Sequence, residues 1–447
     1  MKSANKIKVS ALFLGDIIAL YLALFATLLI RYGSEFYNQF VDRHLLPFTI
    51  IFPIWLVIFY IAGLYDLRRL RNSLEFIKTL WLAIFVNVVI AVFFFYLLPV
   101  FTITPKTNLF IFMAVFSLLE MLWRRQFNHL ISSGEAPNKV LLIGNSAGAI
   151  EGIASSAPTW INQLGYELRA RLSEEEAVAH PQKLRELVFL KNITLVVVPR
   201  KLKNDDRLTR MLYEFLNYGV EIRDVPSFYE IIARKVPLGE LEESWFLENL
   251  TGQQKFYDPL KRAWEFFFAL LLQILLSPFE LFMAIVIKLT SPGPVIYKQA
   301  RVGQHGKEFV FYKFRTMPQN VEVGVARWSA PGDKRATAFG RFLRYTHLDE
   351  LPQLLNIIKG ELSFVGPRPE RPEFVRVLKE KIPYYEVRLL VKPGVTGWAQ
   401  IHHRSDTSHE DVVEKLQYDI YYIKNRSPIL DFAIVLKTIK TLFVTPK

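Results

Sequence analysis

Leu275-Leu276-Ser277-Pro278-Phe279 sits in the middle of an apolar run from Ala263 to Leu289, and its reading decides how the chain is laid out. By length the run could cross a bilayer, since about 20 apolar residues suffice. Everything after Ser291 would then lie on the far side. Proline removes one helix hydrogen bond and clashes with the preceding turn, so it kinks or breaks the helix. A broken helix can enter one leaflet and return to the face it left, with the Ser277 hydroxyl as one partner for the freed backbone groups. The alternative is an ordinary Pro-kinked spanning helix. Residues 291–447 carry 25 Lys and Arg against 16 Asp and Glu. That excess is weak evidence alone, because large domains translocate despite charge.

Four more apolar runs lie upstream, at roughly 9–30, 47–65, 80–101 and 108–123. The first and third are long enough to span, the second is adequate and the fourth is short. The first lacks a small-residue cleavage site and reads as a retained anchor. Lys2, Lys6 and Lys8 precede it, and Arg31 and Arg43 follow it. Arg68, Arg69, Arg71 and Lys78 lie between the second and third runs. Lys106 stands alone before the fourth, and Arg124 and Arg125 flank its end. The alternation places both ends of this block in the cytoplasm. Asp16, inside the first run, is expected to bond a neighbouring helix rather than a ligand.

A chain of 447 residues carries a soft prior of about three domains. Its net charge of +13 suits anionic lipid or phosphorylated substrates, and no nucleic-acid motif accompanies it. The absence of cysteine excludes disulfides and thiolate metal sites. In the middle of the chain, Lys139–Gly144 reads as a buried strand. Leu195–Pro199 and Val220–Arg223 read as two more, after helical stretches around 182–190 and 206–218. This alternation predicts a small doubly wound parallel sheet. The turn from Gly144 to Gly148 is a damaged phosphate fingerprint, with Ser146 at the middle glycine, so a structural or regulatory sheet is favoured over a nucleotide site.

After the rigid loop Ser291-Pro292-Gly293-Pro294 come two short strands, Val295–Gly303 and Phe309–Met317. Lys298, Arg301, Lys313 and Arg315 are expected to converge on a polyanion, against the plainer reading of a solvated basic face near lipid. Leu348-Asp349-Glu350-Leu351-Pro352-Gln353 follows. Proline is tolerated in a helix's first turn, which puts Asp349 at or near an N-cap, with Leu354 to Ile358 in the helix body. The helix field there favours an ionised carboxylate and an anionic phosphoryl group. Such a pair can supply a nucleophile and a metal ligand, and hard oxygens beside a diphosphate suit Mg²⁺. Simple capping is the ordinary reading of an isolated Asp-Glu pair.

Three neighbouring elements outweigh that reading: Gly366-Pro367-Arg368-Pro369-Glu370, Pro393-Gly394-Val395-Thr396-Gly397-Trp398-Ala399-Gln400 and Lys415-Leu416-Gln417-Tyr418-Asp419-Ile420-Tyr421-Tyr422. With them the chain resembles the bacterial sugar transferases. More narrowly, it resembles the large polyprenyl-phosphate hexose-1-phosphate transferases of surface-polysaccharide assembly. The resemblance is close over Lys261–Lys447 and looser upstream. It implies a membrane-associated α/β protein in four parts: four transmembrane helices (1–125), a Rossmann-like domain (126–258), a re-entrant membrane helix broken at Ser277 and Pro278 (259–290), and a catalytic α/β domain (291–447).

The resemblance also implies an inner-membrane, multi-pass enzyme with cytoplasmic soluble domains. It would move a sugar-1-phosphate from a UDP-sugar to polyprenyl (undecaprenyl) phosphate and release UMP. Asp349 would be the nucleophile, Glu350 its acid-base or metal-binding partner, and Mg²⁺ the cofactor. Arg368 would grip phosphate. Lys298, Arg301, Lys313, Arg315, Gln353, Gln400 and Arg404 complete the expected substrate-binding set. The sequence departs from the family's usual pattern at His402, where many relatives carry Asn. The middle domain offers a surface for pairing two copies. Two other readings are a membrane-bound nucleotide-sugar dehydratase or epimerase, which needs a second intact glycine fingerprint, and a non-catalytic membrane scaffold.

Overall fold

The structure, a computed structural model, describes residues 2–65, 74–97, 106–134, 137–144, 165–250, 256–317, 337–403 and 408–444. Four long helices open the chain, at Lys2–Tyr32, Leu45–Ala62, Leu74–Leu97 and Lys106–Gly134. They share one apolar core that includes Leu20, Leu24, Phe52, Trp55, Ile84 and Phe112. Among the described residues three helical stretches are long and apolar enough to cross a membrane: Ile7–Ala62, Phe76–Phe95 and Tyr257–Thr290. Arg124, which follows the fourth apolar run in the sequence, lies inside the fourth helix, 1% exposed, bonded to Asp16 at 2.6 Å. The helix runs on past the apolar stretch because Asp16 gives the guanidinium a buried partner.

The middle unit is a four-stranded parallel sheet in the order β2-β1-β3-β4. Its strands are β1 (Asn138–Ile143), β2 (Tyr166–Leu172), β3 (Leu195–Val198) and β4 (Glu221–Asp224). Side chains alternate between its two faces. Leu141, Ile143, Val196 and Val198 pack under the helices Pro181–Leu190 and Asp206–Leu216. Val140, Leu142, Leu195 and Val197 pack under Val225–Ala233. Both faces are therefore covered, as a parallel sheet requires. Beyond Gly144, the damaged fingerprint falls outside the described residues.

The sheet domain does not end cleanly where the next begins. Val236, Leu241 and Trp245 share a core with Val375, Leu378, Tyr385 and Leu416 of the C-terminal unit. The Trp398 indole donates to the Arg234 carbonyl at 2.9 Å, and Lys424 donates to Glu230 at 2.7 Å. The stretch 234–250 thus works as a strap on the C-terminal unit.

One helix of 34 residues, Tyr257–Thr290, leads into that unit and keeps Pro278 inside it. Proline deprives the carbonyl four residues back of its amide donor. That carbonyl belongs to Ile274, and the Ser277 hydroxyl donates to it at 2.8 Å. Gln273 donates to Glu280 at 2.7 Å across the same point. Both halves of this helix rest on one domain. Ala269, Leu272 and Leu276 meet Leu354 and Ile357, while Met283 and Ile287 meet Phe314 and Leu343. The opposite side presents Phe267, Leu271, Ile274, Leu275, Leu281 and Phe282, all exposed.

The C-terminal unit holds β5 (Ile296–Val302) and β6 (Glu308–Phe314), two strands expected from the sequence, which pair as an antiparallel hairpin. It also holds a short parallel pair, β7 (Ser363–Val365) and β8 (Gly394–Thr396). A Cβ added at Gly394 would lie 2.1 Å from the Gly366 nitrogen, so only glycine lets the two chains approach this closely.

Candidate active site

Asp349 and Glu350 lie in a 3₁₀ turn, Leu348–Glu350. His347 enters it at φ 57, a left-handed conformation that costs energy for a residue with a side chain. The α-helix proper is Gln353–Lys359, capped at Pro352 with no side-chain bond. The expectation that Asp349 caps this helix is corrected: its carboxylate is not spent on a helix end. Leu351 and Pro352 are both compatible with a helical path, which is why the sequence suggests an earlier start.

Lys313 reaches the pair from β6. Its ammonium is 2.6 Å from Glu350 and 3.9 Å from Asp349. Arg368, from the Pro-Arg-Pro element, lies 3.4 Å from Glu350. Strand pairing sets the rest. Lys313 sits opposite Tyr297, and Arg301 opposite Phe309, on one face of the hairpin. Lys298 sits opposite Tyr312 on the other face and is exposed. Arg315 is buried and donates to the Ser291 and Pro292 carbonyls, so it fastens the loop before β5. Arg301 donates to the Pro369 carbonyl and to Gln299. The expected convergence of four cations therefore narrows: Lys313 meets the carboxylates, Arg301 backs the Pro-Arg-Pro loop, and Lys298 and Arg315 point elsewhere.

The two carboxyls differ electrostatically. Burial raises the Asp349 pKa and the Glu350 charge adds to the rise, against Lys313, Arg344 and Arg368. Burial also acts to raise Glu350, but Lys313 and Arg368 together overcome it and hold Glu350 well below the carboxylate range. Glu350 is thus the fixed anion. Asp349 is the more basic of the pair. Desolvation raises the free energy of its charged form.

Gln353 lies one turn beyond Asp349, 1% exposed, and among the described residues no group bonds either end of its amide. Gln400 donates to the Val395 carbonyl at 3.2 Å, while its own amide oxygen has no partner among the described residues. Arg404 falls outside the described residues. His402 stacks on Tyr418, with ring centres 5.2 Å apart, and meets Trp398 at a tilt, 4.1 Å between ring centres. Sequence reasoning missed Lys261 and Arg388, both buried cations. A lone arginine in the apolar run Val387-Arg388-Leu389-Leu390-Val391 was the available signal.

Lys415 lies behind this site with Glu370, Arg388 and Asp419. Burial pushes its ammonium down to about 8, although Glu370 pulls upward. An unfolded lysine titrates near about 10.4. Between those values the unfolded chain holds a proton that the folded chain lacks, so this group makes stability rise with pH from about 8 to 10.4. The full rise is on the order of 3 kcal/mol. Lys415→Met is expected to lack it. Thermal melts of the two proteins between pH 7.5 and 10 check this, and equal slopes would refute it.

Residues 256–445 match the family model described as "Bacterial sugar transferase". Among curated relatives, the chain is 39% identical over 223 residues to the UDP-N-acetylgalactosamine-undecaprenyl-phosphate N-acetylgalactosaminephosphotransferase of Aeromonas hydrophila, covering 50% of this chain and 52% of that protein. It is 30% identical over 337 residues to the UDP-glucose:undecaprenyl-phosphate glucose-1-phosphate transferase of Xanthomonas campestris pv. campestris, covering 71% and 69%. It is 41% identical over 187 residues to the enzyme of the same description from Escherichia coli (strain K12), covering 41% and 40%. The chain thus spans about half the length of the Aeromonas relative. Lys313, Asp349, Glu350 and Arg368 all fall inside the stretch the family model matches, and the chain belongs to the bacterial sugar transferase family.

Proposed function

We propose that the protein transfers a sugar-1-phosphate from a UDP-sugar to polyprenyl phosphate and so begins the assembly of a surface polysaccharide. The observation that carries this is the pair Asp349 and Glu350 facing Lys313 and Arg368 within the family-matched region. An Asp349 carboxylate oxygen attacks the β-phosphorus of the UDP-sugar. The bond from that phosphorus to the bridging oxygen breaks, and UMP leaves with the electron pair. The sugar phosphate is now an acyl phosphate on Asp349. A polyprenyl-phosphate oxygen then attacks the same phosphorus and returns the carboxylate. The relay divides one displacement between anions into two steps. Lys313 and Arg368 neutralise phosphate oxygens already in place, so catalysis is mainly positioning and electrostatics.

Two adjacent carboxylates suit Mg²⁺, which takes one or two of them and completes its shell with water and substrate phosphate. Among the described residues no group of three or more His, Cys, Asp or Glu side chains is placed to hold a metal ion. Asp349 and Glu350 would hold the Mg²⁺, and it would neutralise diphosphate charge.

The helix Tyr257–Thr290 is read as re-entrant. Both of its halves rest on one domain and its outer side is apolar, which supports entry and exit on the same face. With the four N-terminal helices as spans, the site then faces the cytoplasm at lipid headgroup depth, in the inner membrane. The test is UMP release by the purified full chain with Mg²⁺, polyprenyl phosphate and single UDP-sugars. Release with one sugar, dependent on the polyprenyl phosphate for turnover, is expected. No release with any UDP-sugar would end the reading. The relatives differ in sugar, so the panel must include both glucose and N-acetylgalactosamine donors.

A further inference from the structure

The run from Val365 to Glu370 carries Arg368, and almost every carbonyl along it is fastened from a different direction. Lys261 and Tyr422 donate to Val365 at 2.7 and 3.0 Å. The Gly394 amide donates to Pro367 at 2.9 Å, and the Val302 amide to Glu370 at 2.9 Å. Arg301 donates to Pro369 at 2.9 Å. Arg388 donates to the carbonyl of Arg368 itself at 3.0 Å. Hydrogen bonds from charged donors are roughly twice as strong as neutral ones, so three of these ties are strong.

The cations around the site therefore fall into two sets. Arg388 is 8% exposed and its guanidinium is committed to the Arg368 carbonyl, to the Tyr385 hydroxyl at 2.7 Å and to Asp419 at 3.0 Å. Both of its terminal nitrogens are thus engaged by protein groups. The Arg368 side chain is 38% exposed, and among the described residues its ion pair is with Glu350, at the edge of hydrogen-bond distance. It is the one offered outward.

We propose that Arg388 is a positioning residue: by holding the Arg368 carbonyl against Asp419 and Tyr385, it fixes the backbone from which the Arg368 guanidinium reaches the phosphate. Proline on each side of Arg368 stiffens the loop in φ but supplies no donor, so the carbonyl ties must come from outside it. The inference rests on the reading of Arg368 as a phosphate-gripping residue, and it extends that reading by one layer. A displacement of about 1 Å at a phosphate clamp costs on the order of 100-fold in rate.

The test is a double-mutant cycle in the full-length chain, reading UMP release from radiolabelled UDP-sugar, with thermal melts as a folding control. Arg388→Met is expected to lower kcat/KM by about 100-fold in the wild-type background. In an Arg368→Met background it should cost less than about 2-fold, because the group it positions is gone. Arg388→Lys, which keeps one charge and one donor direction, should recover part of the loss. Equal losses in both backgrounds, or no loss in the wild type, overturn the proposal while leaving the role of Arg368 intact. A silent Arg368→Met overturns both. If Arg388→Met does not fold, Arg388→Lys carries the same cycle with a smaller expected loss.

Discussion

Asp349→Asn is expected to lower the rate of UMP release by on the order of 10⁴-fold or more, the scale on which removal of a single nucleophile acts. Asparagine fills the same space but cannot form an acyl phosphate. The variant should nevertheless fold at least as well as the wild type. Burial raises the Asp349 pKa, so folding disfavours its charged form, and at neutral pH that carboxylate is a net cost to stability. Removing the charge removes the cost. The expected result is thus a melting temperature unchanged or raised alongside an activity nearly abolished, the signature of a side chain kept for chemistry. Mass spectrometry of wild-type protein quenched during turnover should find a hexose phosphate on the peptide containing Asp349, and none in the variant. An Asp349→Asn protein that released UMP at the wild-type rate would remove the nucleophile from the mechanism.

Much of this site was legible beforehand, for reasons that can be stated residue by residue. The hairpin was readable because its apolar and basic residues alternate with period two, and strand geometry turns that directly into two faces. The same rule could have separated Lys298 from Lys313. It did not, because the pairing of the two strands is set by the turn at Gly303–Gly306, and a one-residue slip exchanges the faces. The Ser277 bond to Ile274 was also foreseeable, since proline frees one particular carbonyl and a hydroxyl stands beside it.

Other features depend on distant partners. Strand β2, Tyr166-Glu167-Leu168-Arg169-Ala170-Arg171-Leu172, reads as a polar stretch, because it forms one edge of the sheet. The strap at 234–250 has no local signature, and its apolar residues are explained only by the core they join in the C-terminal unit. The 3₁₀ turn at Leu348–Glu350 reads in the sequence as the start of a helix. Local propensity does not distinguish a turn pinned by Lys313 and Arg368 from one that opens a helix. Arg388 follows the same logic: its partners lie 20 or more residues away in the cases of Arg368 and Asp419.

Arg124→Met is expected to be the most damaging change to the N-terminal helices. The Arg124 guanidinium binds Asp16 at 2.6 Å, Glu120 at 2.7 Å and the Leu64 carbonyl at 2.7 Å. The first and fourth helices and the turn after the second therefore meet at one cation, and Trp123 adds a bond to Asp16 at 3.1 Å. Neither carboxylate is exposed. Methionine fills much of the volume but leaves two buried acids without a counter-charge. Removing one member of a buried ion group costs about 3–5 kcal/mol, while neutralising all its members together is often nearly neutral. Ionisable groups among apolar helices obey the same logic more strictly, since no water is at hand to take the charge. Arg124→Met should therefore yield little folded protein in detergent and a much lower melting temperature. The triple change Asp16→Asn, Glu120→Gln, Arg124→Met should recover most of the loss. Protein that does fold should keep its kcat, because Lys313, Asp349, Glu350 and Arg368 all lie in the C-terminal unit. A single variant that melts like the wild type, or a triple variant no better than the single one, would show that charge compensation at Arg124 does not hold these helices together.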